Sequence, residues 1–169
     1  MKEILGPVSK EYLRVIKDDF KKYKSLGDKT FVQLKDEDFH LRSDEDNNSI
    51  AIIIQHLSGN LRSRFVNFLA ADGEKTSRDR DAEFEEQNLS RSDLLQEWDS
   101  GWEAAFAALN SLKPEDLNKT VMIRNEPHSV IEALNRLVTH CAYHVGQIVL
   151  IAKQIKKSDW KSLSIPKKA

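Results

Sequence analysis

With a single cysteine, Cys141, in 169 residues, no intramolecular disulfide can staple this chain. An excess of one charge is missing too: 26 basic and 27 acidic residues leave a formal net charge of -1, so no global field draws nucleic acid or an anionic membrane. Any charge-driven recognition has to be local. Apolar runs such as Ile50 to Ile54 fall far short of the roughly 20 residues needed to cross a bilayer. The N-terminus lacks the extended apolar region of a secretory signal. Together these absences lead to the expectation of a cytoplasmic protein with neither a membrane nor a nucleic acid as partner. Internal repeats and low-complexity stretches are absent as well.

Hydrophobic residues make up 40% of the chain and charged residues 31%, too apolar a balance for disorder and an ordinary one for a globular protein. A chain of this length buries about 70% of its unfolded surface around one core. One domain over residues 1–169 is therefore expected.

Four segments have helical periodicity, which points to an all-α bundle. From about Ser9 to Leu26, the residues Tyr12, Leu13, Ile16, Phe20 and Tyr23 share one stripe, and Gly27 supplies a stop. A second helix starts after Asn47 and Asn48, either of which can cap it, and runs to about Leu69 on a stripe of Ile50, Ile53, Ile54, Leu57, Leu61, Phe65 and Phe68. From Asp72 to Ser90 charge density rises and periodicity fails, leaving a long loop. The third helix begins near Ser92 and places Leu95, Trp98, Trp102, Ala105, Phe106 and Leu109 on one face. Lys113-Pro114 ends it, and Lys119 to Arg124 reads as at most a brief strand. Ser129 with Glu132 forms a capping box that opens a fourth helix to about Lys156, and the basic residues from Lys161 to Ala169 read as a frayed tail.

Three of the five histidines lie inside apolar helices. His140 and His144 are four apart, so their side chains leave the same side of a helix with Cβ atoms roughly 5–6 Å from each other. Both lie toward one edge of the apolar stripe, with Leu137 and Gln147, and His56 holds a similar edge on the second helix beside Ile53 and Asn60. Two such edges meeting form a pocket mouth. Three imidazole nitrogens can hold one divalent ion and leave a position open for water or substrate, the arrangement of catalytic rather than structural zinc. The competing reading is that edge histidines merely cap a core or bond the backbone.

Around these residues, His140-Cys141-Ala142-Tyr143-His144-Val145-Gly146-Gln147-Ile148 resembles the HxxxHxGQ segment of the DinB/YfiT-like superfamily. Gln55-His56-Leu57-Ser58-Gly59-Asn60 is similar to the segment that carries the first metal histidine there. Asp72-Gly73-Glu74-Lys75, Arg78-Asp79-Arg80-Asp81 and Glu83-Phe84 resemble the charged loop of one uncharacterised subfamily. The resemblance covers about residue 47 to residue 155. It implies a DinB-like four-helix bundle arranged up-down-down-up, often a homodimer, with a divalent ion, commonly zinc or nickel, on His56, His140 and His144. It also implies, for some members, transfer to or from a low-molecular-weight thiol such as bacillithiol or mycothiol. In that case the ion favours the thiolate of this cofactor, and Arg78 and Arg80 can hold a carboxylate of the substrate.

The resulting expectation is a metal-dependent enzyme, a thiol-dependent S-transferase or a hydrolase. The alternative is a non-catalytic, metal-containing bundle acting in stress response. Gln147, one turn after His144, and Asn60, across the pocket, are candidates to orient a ligand or bound water. Cys141 points about 100° away from His140 on a helix, toward the apolar centre, and reads as a buried inert thiol. His128 can line the mouth but reads more simply as a solvated loop residue. Arg62, Arg64, Arg78 and Arg80 are interleaved with acids that cancel their field, and Trp98 and Trp102 read as core.

Overall fold

The computed structural model describes residues 2–165. Among these, four α-helices and one two-stranded sheet follow in the order α1 (Lys2–Phe31), α2 (Ile50–Phe65), α3 (Arg91–Ser111), β1 (Thr120–Ile123), β2 (Glu126–Ser129) and α4 (Val130–Lys156), with short 3-10 turns between them. The architecture is thus mostly helical but not purely α. Helix α2 packs chiefly on α3, α1 chiefly on α4, and α2 also meets α4. One apolar cluster joins residues of all four helices, with the rings of Phe20, Phe65, Trp98 and Trp102 edge-on to one another at its centre.

The apolar stripe expected on α2 is buried along its whole length, and Ala51, Ile52, Gln55, Ser58 and Ser63 are buried with it. This helix therefore runs through the interior, with little polar face of its own. Its cap is Ser49, whose side chain accepts from the Ile52 backbone N–H, rather than Asn47 or Asn48. It ends at Phe65 rather than near Leu69, because Val66 is extended and Asn67 turns left-handed at φ 55°.

Helix α1 continues past Gly27 to Phe31, so this glycine is not a stop. It makes room instead: a Cβ there would collide with the Trp98 ring. The next residue, Asp28, accepts from Trp98 Nε1 at 2.9 Å. Helix α3 opens at Ser90 through a capping box with Asp93, and it turns Leu94 rather than Leu95 fully inward. The fourth helix has the expected box between Ser129 and Glu132.

The brief strand expected at Lys119 to Arg124 has a partner that periodicity did not reveal. β1 pairs antiparallel with β2 from Thr120↔Ser129 to Ile123↔Glu126. The hairpin turns through Arg124 and Asn125, both left-handed at φ 57° and 63°. Pro127 hid the second strand, since proline is tolerated only where no ladder donor is needed. Of the segment read as a frayed tail, Lys161 exchanges hydrogen bonds with Gln33, in the turn after α1, at 2.8 and 3.1 Å. Residues 166–169 lie outside the described residues.

The Asp72–Ser90 connection, a long aperiodic loop by sequence, is held by polar contacts and one 3-10 turn. Asp72 accepts from the backbone N–H groups of Glu74, Arg124 and Asn125 at 2.6, 3.0 and 2.7 Å, tying the loop to the hairpin turn. Glu74 then receives Arg64 and Arg124, both at 2.8 Å, and Arg78 at 3.2 Å. A 3-10 turn, Ala82–Phe84, folds back onto α2. Charge complementarity replaces apolar periodicity here.

Two outcomes are expected. Trp98 and Trp102 are both fully buried, but only Trp98 Nε1 has a partner. In urea denaturation Trp98→Phe should cost about 1 kcal/mol more than Trp102→Phe, the usual worth of one hydrogen bond; equal losses would contradict this. Burial raises the Glu74 carboxyl, but hydrogen bonds from Arg124 and Arg64 outweigh it and bring it down to about 2. A carboxylate depressed by folding stabilises above its unfolded value and loses that contribution as pH falls through the folded one. Acid titration of wild type against Glu74→Gln should show a stability gap that is full above pH 4.5 and closes toward pH 2.

Candidate metal centre

Helix α2 delivers His56 and α4 delivers His140 and His144 to a common point. His56 Nε2 stands 3.4 Å from His140 Nε2, and His144 Nε2 stands 3.1 Å from that same atom. Nitrogens bound tetrahedrally to zinc at 2.0–2.1 Å are separated by about 3.3 Å, so the spacing suits a single ion. His56 and His144 are buried and His140 is partly open, which leaves one side of the cluster accessible.

Two of the outward nitrogens have acceptors. His56 Nδ1 donates to Glu83 Oε2 at 3.0 Å, and His144 Nδ1 donates to Gln147 Oε1 at 2.8 Å. In the neutral tautomer that these bonds select, both rings turn the Nε2 lone pair toward the centre. Lone pairs packed this closely call for an electrophile. Burial and the neighbouring His144, His56 and Arg78 push His140 down to about 3; burial and His56 push His144 down to about 4. Neutral imidazole, the form that binds metals, is thus the resting state of both. The donor set fits a divalent ion, and the three-histidine cluster can bind one.

The other candidates divide. Gln147 reaches the centre through His144 and also donates to the Tyr143 hydroxyl at 3.2 Å. Asn60 is buried one turn beyond His56, but its Oδ1 has no partner and it bonds none of the three imidazoles. The Arg78 guanidinium is buried and already filled, with Nε and Nη2 each 2.7 Å from Glu83 and Nη1 on Glu74. Arg80 is half-exposed and lies over the Phe84 ring, 5.0 Å from its centre, while that ring stacks at 4.5 Å on His56. Phe84 and the exposed Tyr143, 4.8 Å from the His144 ring, thus flank the cluster.

Cys141 is fully buried and burial raises its thiol, as befits an inert core residue. His128 sits on β2 opposite Val121, outside the cluster. Arg62 and Arg64 are paired with Glu97 and Glu74, so the arginines form no open anion patch. No helix among the described residues is long and apolar enough to cross a membrane.

Glu83 is the residue that sequence reasoning missed, having been placed in a solvated, self-cancelling loop. It is buried, and burial raises its carboxyl less than the hydrogen bonds from Arg78 and His56 lower it. A signal existed: Gly59 sits inside α2 three residues after His56, and a Cβ there would collide with the Glu83 carboxyl. A glycine inside a helix often marks such a close approach.

No curated protein matches the chain. The family described as "Protein of unknown function (DUF1572)" matches over residues 7–169, nearly the whole sequence, and the chain belongs to this uncharacterised family.

Proposed function

We propose that the chain is a metal-dependent enzyme whose His56, His140 and His144 hold one divalent ion, zinc or nickel, in a single DinB-like four-helix bundle arranged up-down-down-up over residues 1–169. The observation that carries this reading is the convergence of three Nε2 atoms, those of His56 and His144 standing 3.4 and 3.1 Å from that of His140. When bound, such an ion supplies a Lewis acid that lowers the pKa of a thiol or water at an open position.

The chain's own residues do the rest. The three imidazoles fix the ion's place, and Gln147 holds His144 in its ligating tautomer. Phe84 and Tyr143 wall the opening and limit access of water. Arg80, whose ion pair is a loose one at 3.6 Å to Asp81, holds a carboxylate of the substrate. The reaction is transfer to or from a low-molecular-weight thiol, or a hydrolysis, in a cytoplasmic homodimer. Exposed Tyr143 and Leu150 on α4 offer apolar area for pairing.

Elemental analysis of the purified protein should return about one zinc or nickel per chain, as three nitrogen ligands imply. The alanine variants should lose it unequally. His56→Ala should lose most, its imidazole being backed by a carboxylate, and His140→Ala least, since its Nδ1 has no partner. Metal content unchanged in all three variants would remove the reading. Conjugation of a small thiol to a generic electrophile should stop on chelation and return with added metal; the absence of any metal-dependent turnover would favour the non-catalytic alternative.

A further inference from the structure

The Arg78–Glu83 pair lies where it is costly to keep. Both side chains are buried, at 5% and 11% exposure, and a desolvated ion pair on its own adds little or nothing to stability. The loop from Asp72 to Ser90 has ample surface on which the same two charges could meet in water. The pair is instead pressed against α2, in a space that exists because position 59 has no Cβ. Glycine inside a helix weakens it relative to alanine. Two unfavourable choices thus converge on one carboxylate: Glu83 Oε1 fills the space left at Gly59, and Oε2 accepts from His56 Nδ1 at 3.0 Å.

We propose that Glu83 is a positioning residue of the metal centre: oriented by Arg78 and admitted by Gly59, its carboxylate fixes His56 with the proton on Nδ1 and the Nε2 lone pair toward the ion. This role rests on the three-histidine reading. The three ligands are then unequal by construction. His56 is backed by a charge, His144 by an amide oxygen, and His140 by nothing. Electron density reaching the ion through His56 strengthens that bond most, and the long charged loop acts as the outer shell of the site.

The test measures Zn2+ affinity by competition with a chromophoric chelator, the absorption bands of the Co2+-loaded protein, and the urea stability of the metal-free chain. Glu83→Gln and Gly59→Ala should each weaken Zn2+ by about tenfold or more and shift the Co2+ bands. Gly59→Ala should do so without lowering metal-free stability, because alanine favours the helix while its methyl displaces the carboxylate. A role limited to folding would give the opposite pattern. The charge-neutral double variant Glu83→Gln/Arg78→Met leaves no unpaired buried charge and should keep the weakened affinity while folded. Affinity within about twofold of wild type in folded Glu83→Gln and in the double variant would overturn the proposal, since loss of such a partner costs tenfold or more. That result, with Zn2+ still bound by the wild type, would leave the histidine site standing. No Zn2+ binding by the wild type would sink both.

Discussion

Two imidazoles whose protons are drawn outward, to Glu83 and to Gln147, face one another and His140 across a few ångströms. That arrangement constrains everything around it. Bare nitrogen lone pairs repel, so the helices carrying them must be held by forces independent of the cluster. The apolar stripe of α2, buried along the length of the helix, and its packing on α3 and α4 provide this. A rigid apolar frame can hold polar groups in a geometry they would not choose for themselves.

The charged loop solves a second problem on the same site. A helix interior as apolar as that of α2 has no carboxylate to spare for the outer nitrogen of His56. The carboxylate arrives from outside the helix, on a segment whose order comes from ion pairs and from Asp72 gripping the hairpin turn. The small sheet, which looks peripheral, is thereby part of what holds Glu83 in place. Asp72, Arg124, Glu74 and Arg78 form a chain of partners from the hairpin to the histidines.

Much of this was legible in the residues. The helical stripes, the Ser129–Glu132 box and the inert burial of Cys141 follow from local periodicity and capping chemistry. The pairing of His140 with His144 follows from helical spacing, and the approach of His56 from its matching edge position. The helix ends were less legible. Gly27 served packing rather than termination because Trp98, distant in sequence, comes down on it. β2 escaped because Pro127 and His128 break the alternation that marks a strand.

The sequence by itself determined four helices, their buried faces and a set of three histidines, because periodicity and capping are properties of neighbours a few residues apart. Only the tertiary structure decided that Glu83 and Arg78 leave solvent and close behind His56, and that Arg80 stays at the opening above Phe84. Charges in an aperiodic loop carry no directional pattern. Their partners are chosen by which cavities the packed helices leave, and the one beside Gly59 exists only after α2 and the loop have met.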